Sequence, residues 1–353
     1  MTDRPLTKLK LKIKRLLGRI VYIYVYTKNK LKDSFDKSSP TSKSTKKHLK
    51  NLLLTNKRGR LITGILTFIL LFYYGLGAYI SSDIENRLDN ITKYETKKTP
   101  HTLSALSYVL KIQVDKQAWT PSLPIIFPAS VLDNLPNFQL GVKDSANYFI
   151  KKLAKHYQNQ NLEDAGKLLD YDPTIWLFSQ TKDDKLAPGS AKQYRKALAL
   201  IETTEHLSNS DVPNSPQDLL YTLKSTNILL KKELNKLQKH IQEHHSEILD
   251  FRADNAFYHA QGVIYTIHYF LSGVAKDFQS LILYAEQYEN MTSALKALSE
   301  ASELRPLIIK NTSPNSTYEA NHLLYLAYYL SKAQNYLQEI YFNILLKTTE
   351  LPQ

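Results

Sequence analysis

The 353-residue sequence contains no cysteine. That excludes disulfides, thiolate metal sites and a Cys nucleophile. Glycine is scarce at 10 residues, beside 14 prolines. So few glycines argue against a sheet-rich fold with many tight turns, and leave little material for phosphate-cradling loops. The His-Glu-x-x-His, Gly-x-Ser-x-Gly and P-loop patterns are absent, and the one Gly-x-Gly, Gly75 to Gly77, falls inside an apolar run. No fixed-period repeat occurs, which disfavours a solenoid. Acidic residues are nearly missing from the first 60 positions, which carry 18 Lys/Arg against 3 Asp/Glu; the rest carries 28 against 30. The formal charge of +13 is therefore a basic head on a near-neutral body. A hydrophobic content of 43 % is enough for a sizeable core and argues against wholesale disorder.

The apolar run is LITGILTFILLFYYGLGAYISS, from Leu61 to Ser82, without a charged residue. A helix of ~20 apolar residues spans the ~30 Å hydrocarbon core of a bilayer. Lys57, Arg58 and Arg60 precede the run, and Asp83 and Glu85 follow it. This Lys/Arg asymmetry predicts a single-pass anchor with the N-terminus cytoplasmic and residues 83–353 outside. Phe72, Tyr73, Tyr74 and Tyr79 fall toward the outer end, where amphipathic rings favour the headgroup region. A cleaved signal peptide is disfavoured because about 60 residues precede the run, against the short basic region such peptides carry. A buried soluble helix fits the flanking charges and aromatic end less well.

In the head, Leu6, Leu9, Ile13, Leu16, Leu17 and Ile20 follow helical spacing, and Lys8, Lys10, Lys12, Lys14, Arg15 and Arg19 occupy much of the remaining circumference. The pattern predicts an amphipathic helix on the anionic inner leaflet, each basic residue contributing ~1 kcal/mol. Lys8 to Lys14 also alternates with period two, so a strand stays open. Residues 33–47 are rich in Ser, Thr and Lys and read as a flexible tether. A specific cytoplasmic partner is a second reading of the head. A nucleic-acid arm is the least favoured, for want of an interleaved aromatic–basic signature.

Beyond Asp83 the pattern is mainly helical, and the predicted class is all-α: a transmembrane helix followed by a multi-helix bundle. Ile84 to Ile91 reads as an outward continuation of the anchor, and Thr99 to Leu110 as a short helix. Residues 119–142 contain Pro121, Pro124, Pro128 and Pro136, which predicts an extended strap anchored by Trp119, Ile125, Ile126 and Phe127. Asp133, Asn134 and Asn137 are read as turn formers there; a peptide or glycan groove is the functional reading of the strap, and a packed connector the preferred one. Helices follow at Ser145–Gln158 and Leu162–Leu169. Asp172-Pro173 reads as an N-cap with proline at N1, Trp176 and Phe178 as inward-facing, Lys182–Gly189 as a polar loop, and Ser190 as the cap of a helix through Gln193–Glu202. From Gln217 to Phe251, Leu220, Leu223, Asn227, Leu230, Leu234, Leu237, Ile241, His244, Ile248 and Phe251 form a heptad seam. Leu323, Leu326, Leu330, Ala333, Leu337, Ile340 and Ile344 form another. Phe257–Phe278 and Met291–Leu304 are helices between them, and Asn311–Ser316 is a loop. The seams suit either an internal core or a partner helix, including a second copy of the chain.

Candidate chemistry is sparse. His240 and His244, four residues apart with Glu243, His245 and Glu247 nearby, could hold a divalent metal, but they lie on a charged helix surface. Glu319-x-x-His322 is a single Glu-x-x-His, where di-iron bundles need two. Arg252, Asp254 and Asn255, with His259 and His268 beyond, form a polar knot: a buried Arg–Asp pair with surrounding hydrogen bonds is preferred to a general acid/base site. No cofactor is predicted.

The segment WTPSLPIIFPASVLDNLPNFQLGV, and above all Leu132 to Gly141, resembles an uncharacterised proteobacterial inner-membrane family catalogued as domain of unknown function 2333. So do Asp172-Pro-Thr-Ile-Trp-Leu-Phe, Gln193-Tyr-Arg-Lys, Phe251-Arg-Ala-Asp-Asn and Asn321-His322 with the helix after it. The likeness spans roughly residues 68–345. It implies a single-span inner-membrane protein with a helical periplasmic domain, and brings no reaction or catalytic residues. The expectation is a non-enzymatic, membrane-anchored envelope scaffold or docking protein. The alternative is an envelope hydrolase or ligand-binding protein that uses the strap and the Arg252–His268 region.

Overall fold

The computed structural model describes residues 57–81, 84, 99–124, 126–130, 134–180, 186–204, 207, 215–245, 250–306, 308–316 and 319–349. The basic head with its candidate lipid-contact residues, the tether and the Glu85–Ile91 part of the predicted continuation lie outside them, as does Asp133. The chain divides into two units, 1–72 and 73–353, with the boundary inside the first helix.

The predicted all-α class holds. Ten α-helices occur among the described residues: α1 Lys57–Ser81, α2 His101–Lys111, α3 Asn134–Tyr157, α4 Gln160–Leu169, α5 Ser190–Glu202, α6 Pro216–His244, α7 Phe251–Asp277, α8 Gln279–Tyr284, α9 Tyr288–Ser302 and α10 His322–Thr349. A π-helical turn, Ile112–Lys116, extends α2. Strands β1 (Phe178–Gln180) and β2 (Leu186–Pro188) pair antiparallel, Phe178 opposite Pro188.

Helix α1 falls on the apolar run. Leu61, Ile65, Leu66, Phe68, Ile69, Leu70, Leu71 and Phe72 are all at least half exposed, Phe68 at 68 %. Among the described residues no helix is long and apolar enough to cross a membrane.

In the second unit α7 is the central helix, packed by α2, α3, α6, α8, α9 and α10. Its sequence dictates this place. No Asp, Glu, Lys or Arg stands between Asp254 and Lys276, so this stretch has no charged face to turn to water and is packed from several sides. Phe257, Ile264, Tyr265, Phe270, Leu271 and Val274 are buried around its circumference. All seven predicted seam residues of α10 are buried, against α6 and α9. On α6, Leu223, Leu230, Leu237 and Ile241 are buried. The α10 seam is thus filled within the chain's own core, while Leu220, Asn227, Leu234 and His244 of the α6 seam are only half-buried.

Several sequence expectations need correction. The strap ends before Asn134, because α3 begins there and carries Pro136 in its first turn, where the missing N–H has no intrahelical partner to lose. Asn134 and Asn137 are helical rather than turn formers. Asp172-Pro173 starts no helix; the Asp172 carboxylate accepts from the Thr174 amide and hydroxyl in an Asx turn. The loop over Lys182–Gly189 contains β2. Ser190 does not cap α5: its hydroxyl lies within donating reach of the Asp172 carbonyl at 2.6 Å and of the Ile175 carbonyl at 2.9 Å, and accepts the Ile175 amide, tying the turn to the helix. The α6 seam does not run on to Phe251, since α6 stops at His244 and Phe251 opens α7 after an Asp250 cap.

Candidate functional site

Polar groups gather where α7 begins. The Asp250 carboxylate accepts the Arg252 amide as the N-cap of α7, and Asn311 Nδ2 at 3.1 Å. It also meets His240 Nε2, from the last turns of α6, at 2.7 Å. Burial opposes the charge, but hydrogen bonds from Asn311 and His240 outweigh it and hold this carboxyl below the usual range. Asn321 donates to Asn311 Oδ1 and to the Thr312 carbonyl, while its own Oδ1 caps α10 by accepting the Leu324 amide. Arg252 reaches His244 Nδ1 at 2.9 Å. One hydrogen-bonded chain thus fastens the end of α6, the start of α7, the 305–321 loop and the start of α10. Asn137, on α3, joins the same end of α7 by donating to Asn255 at 2.8 Å.

Two turns further along α7, His259 Nδ1 lies 3.2 Å from Glu233 of α6 and Nε2 lies 3.4 Å from Asp144 of α3. Lys236 holds the other Glu233 oxygen at 2.9 Å, and Lys143 holds Asp144 at 2.7 Å. Burial lowers the imidazole pKa, but hydrogen bonds to both carboxylates raise it further than burial lowers it. For Asp144 burial works upward, and the bonds from His259 and Lys143 bring it down to about 2. Charges of alternating sign therefore bridge three helices. Beside them α3 and α7 cross at a glycine pair: a Cβ at Gly141 would collide with the His259 carbonyl, and one at Gly262 with the Phe138 carbonyl.

The remaining sequence candidates lie elsewhere. His268 is 16 residues, or ~24 Å of helix, beyond Arg252. It is buried with Nδ1 unpartnered, and burial pulls its pKa down to about 4, so it is neutral at pH 7. Arg252 is 56 % exposed, contrary to the expected buried pair with Asp254. Trp119 is a packing anchor, edge-on to Tyr194 at 4.9 Å and donating to the Pro173 carbonyl. Lys57, Arg58 and Arg60 lie in the first turn of α1. Of the strap and α7 candidates, Asn137 meets α7 at Asn255, while Trp119 packs against Tyr194 and His268 lies further along α7. Glu319 and His322 fasten the loop instead, accepting from Lys310 Nζ and the Lys310 amide. Among the described residues no three His, Asp or Glu side chains group as metal ligands. A groove of about 400 Å³ lies between α7, α8 and α9, lined by Ser272, Lys276, Ile282, Tyr288, Met291 and Leu295, none of them picked from the sequence. Glu233 and Asp144 were missed too: they stand 26 and 115 residues from His259, with no local pattern to join them.

Residues 221–346 match a family model described as an uncharacterized protein conserved in bacteria (DUF2333). The match runs from α6 through most of α10. It takes in Phe251–Asn255 and Asn321-His322, and leaves the strap outside. The resemblance read from the sequence is therefore shown over these residues. No curated protein and no solved structure matches the chain.

Proposed function

We propose that this chain is a non-enzymatic, membrane-anchored envelope protein whose helical domain, residues 83–353, is a scaffold or docking body outside the inner membrane. The observation that carries the reading is the uncharged 22-residue run from Leu61 to Ser82, flanked by Lys57, Arg58 and Arg60 on one side and Asp83 on the other. The large apolar side chains of α1 that are exposed to solvent support it, since lipid is the medium that would cover them. The basic head is assigned to anionic inner-leaflet lipid.

The docking role draws on the outer face of α10. With its seam committed to the core, that helix still exposes Leu324, Tyr325 and Tyr328 near one end and Phe342, Leu345 and Leu346 near the other. Photo-crosslinkers at Tyr328 and Phe342 of the full-length protein in intact cells test this. Discrete adducts with another protein, or with a second copy, are expected. Uniform absence of adducts at both positions would overturn the docking role.

A further inference from the structure

We propose that the proline-rich strap and the adjoining Trp176–Leu177 turn form a second membrane contact, seated in the outer leaflet beside the anchor. The inference rests on the anchor reading and adds to it. The strap touches α1 inside the uncharged run: the Tyr73 hydroxyl donates to the Ile126 carbonyl at 3.3 Å, and Gly77 lies so close to Pro128 that a Cβ would strike the ring. The run before Tyr73, Leu61 to Phe72, supplies only ~18 Å of helix against ~30 Å of hydrocarbon. A span by α1 therefore has to include Tyr73 and the residues after it. Whatever packs on Tyr73 and Gly77 is then drawn to the depth of the outer leaflet.

The strap's chemistry suits that depth. From Gln117 to Leu132 it carries no formal charge. Pro121, Pro124 and Pro128 have no N–H to desolvate, and two further donors are used internally, Leu123 N–H to Thr120 O and Phe127 N–H to Pro124 O, both at 2.9 Å. These features lower the cost of bringing irregular backbone to the interface, though not into the hydrocarbon itself. Phe127 packs edge-on against Trp176 at 5.4 Å, and Leu177 beside it is 58 % exposed. With Tyr73, Tyr74 and Tyr79 of α1 these rings make the aromatic set that settles at a membrane–water interface. The occupant of this face is thus lipid, at the boundary of headgroup and acyl chain.

The absence of cysteine makes the test clean. Single variants Phe127→Cys, Leu177→Cys, Phe68→Cys and Lys239→Cys of the full chain are labelled with a polarity-sensitive fluorophore and reconstituted in vesicles of phosphatidylethanolamine and phosphatidylglycerol containing nitroxide lipids. Labels at 127 and 177 are expected to shift to the blue and lose intensity to shallow nitroxides. The label at 68 should be quenched by deep nitroxides, and that at the exposed Lys239 position by neither. A buried label at 68 with water-exposed labels at 127 and 177 overturns the strap contact and leaves the anchor standing. An aqueous label at 68 overturns both. Labels at 127 and 177 shielded from water yet untouched by nitroxides would mean a protein covers the face, and would also overturn the proposal. Leu177→Cys, at an exposed position, keeps the test valid should Phe127→Cys fail to fold.

Discussion

Substituting Gly262 by Ala tests the helix crossing on which the domain is built. Ala is favoured over Gly in a helix interior by ~1 kcal/mol, so the change starts with a gain. The new methyl would lie 2.1 Å from the Phe138 carbonyl oxygen and 3.0 Å from the Phe138 carbonyl carbon and the Val142 nitrogen. All three are backbone atoms and cannot rotate away. An inserted methyl in a packed contact costs about 1–3 kcal/mol, more where backbone must move. Parting α3 from α7 by ~1 Å would also forfeit a quarter to a half of the dispersion attraction across the contact. That contact includes the Phe149–Phe270 stack at 3.8 Å and the Phe138–Tyr265 pair. The net loss is expected to be about 2–4 kcal/mol, or a fall of roughly 5–12 °C in Tm. Thermal unfolding of the full chain in detergent, followed by far-UV circular dichroism, reads it. Gly141→Ala should behave alike. The double variant should lose less than the sum, because the second methyl enters a gap the first has opened. Gly64→Ala, with nothing within 4 Å, should be neutral or slightly stabilising. An unchanged or raised Tm for Gly262→Ala would refute the reasoning.

Two further outcomes follow from the polar contacts. Asp277 accepts the His101 and Thr102 amides at 2.9 and 2.8 Å and the Thr102 hydroxyl, serving as the cap α2 lacks locally. Asp277→Ala should cost about 2 kcal/mol in urea unfolding and Asp277→Asn less; equal stability of all three proteins would count against the cap. The His259 network should give a definite pH signature. Its folded pKa is raised above 6.5, so its contribution is complete below that pH and fades as pH rises through the folded value. Asp144 is lowered from 3.8 to about 2, so its contribution is complete above 3.8 and fades as pH falls toward 2. The stability difference between wild type and His259→Gln should therefore be greatest between about pH 4 and 6.5; a difference that grows steadily into alkaline pH would contradict the network.

Much of this architecture was legible in the residues. The α10 seam was read correctly at every position because one face of a long helix is enough to define a 3,4 spacing. On α6 the same spacing carried the reading too far. Ile241, His244, Ile248 and Phe251 keep the rhythm numerically, while Asp250, as a side-chain cap, opens a new helix between them. Pro136 misled in the opposite sense, since proline breaks a helix interior but is welcome in its first turn. The β1–β2 hairpin was invisible because three residues per strand establish no alternation. The site and the helix caps depend on contacts that no local pattern encodes: His259 meets Asp144 across 115 residues, and Asp277 reaches back 175 to cap α2 at Thr102. The glycine pair at 141 and 262 was likewise unreadable, because its meaning lies in which helix crosses which.

The most direct measurement of the central claim is the location of the C-terminus. Alkaline phosphatase, active only outside the cytoplasm, and a fluorescent protein that matures only inside are each fused after Gln353 of the full-length chain. An anchor at Leu61–Ser82 with the basic head inside requires high phosphatase activity and a dark fluorescent fusion. A bright fluorescent fusion with an inactive phosphatase would contradict the account.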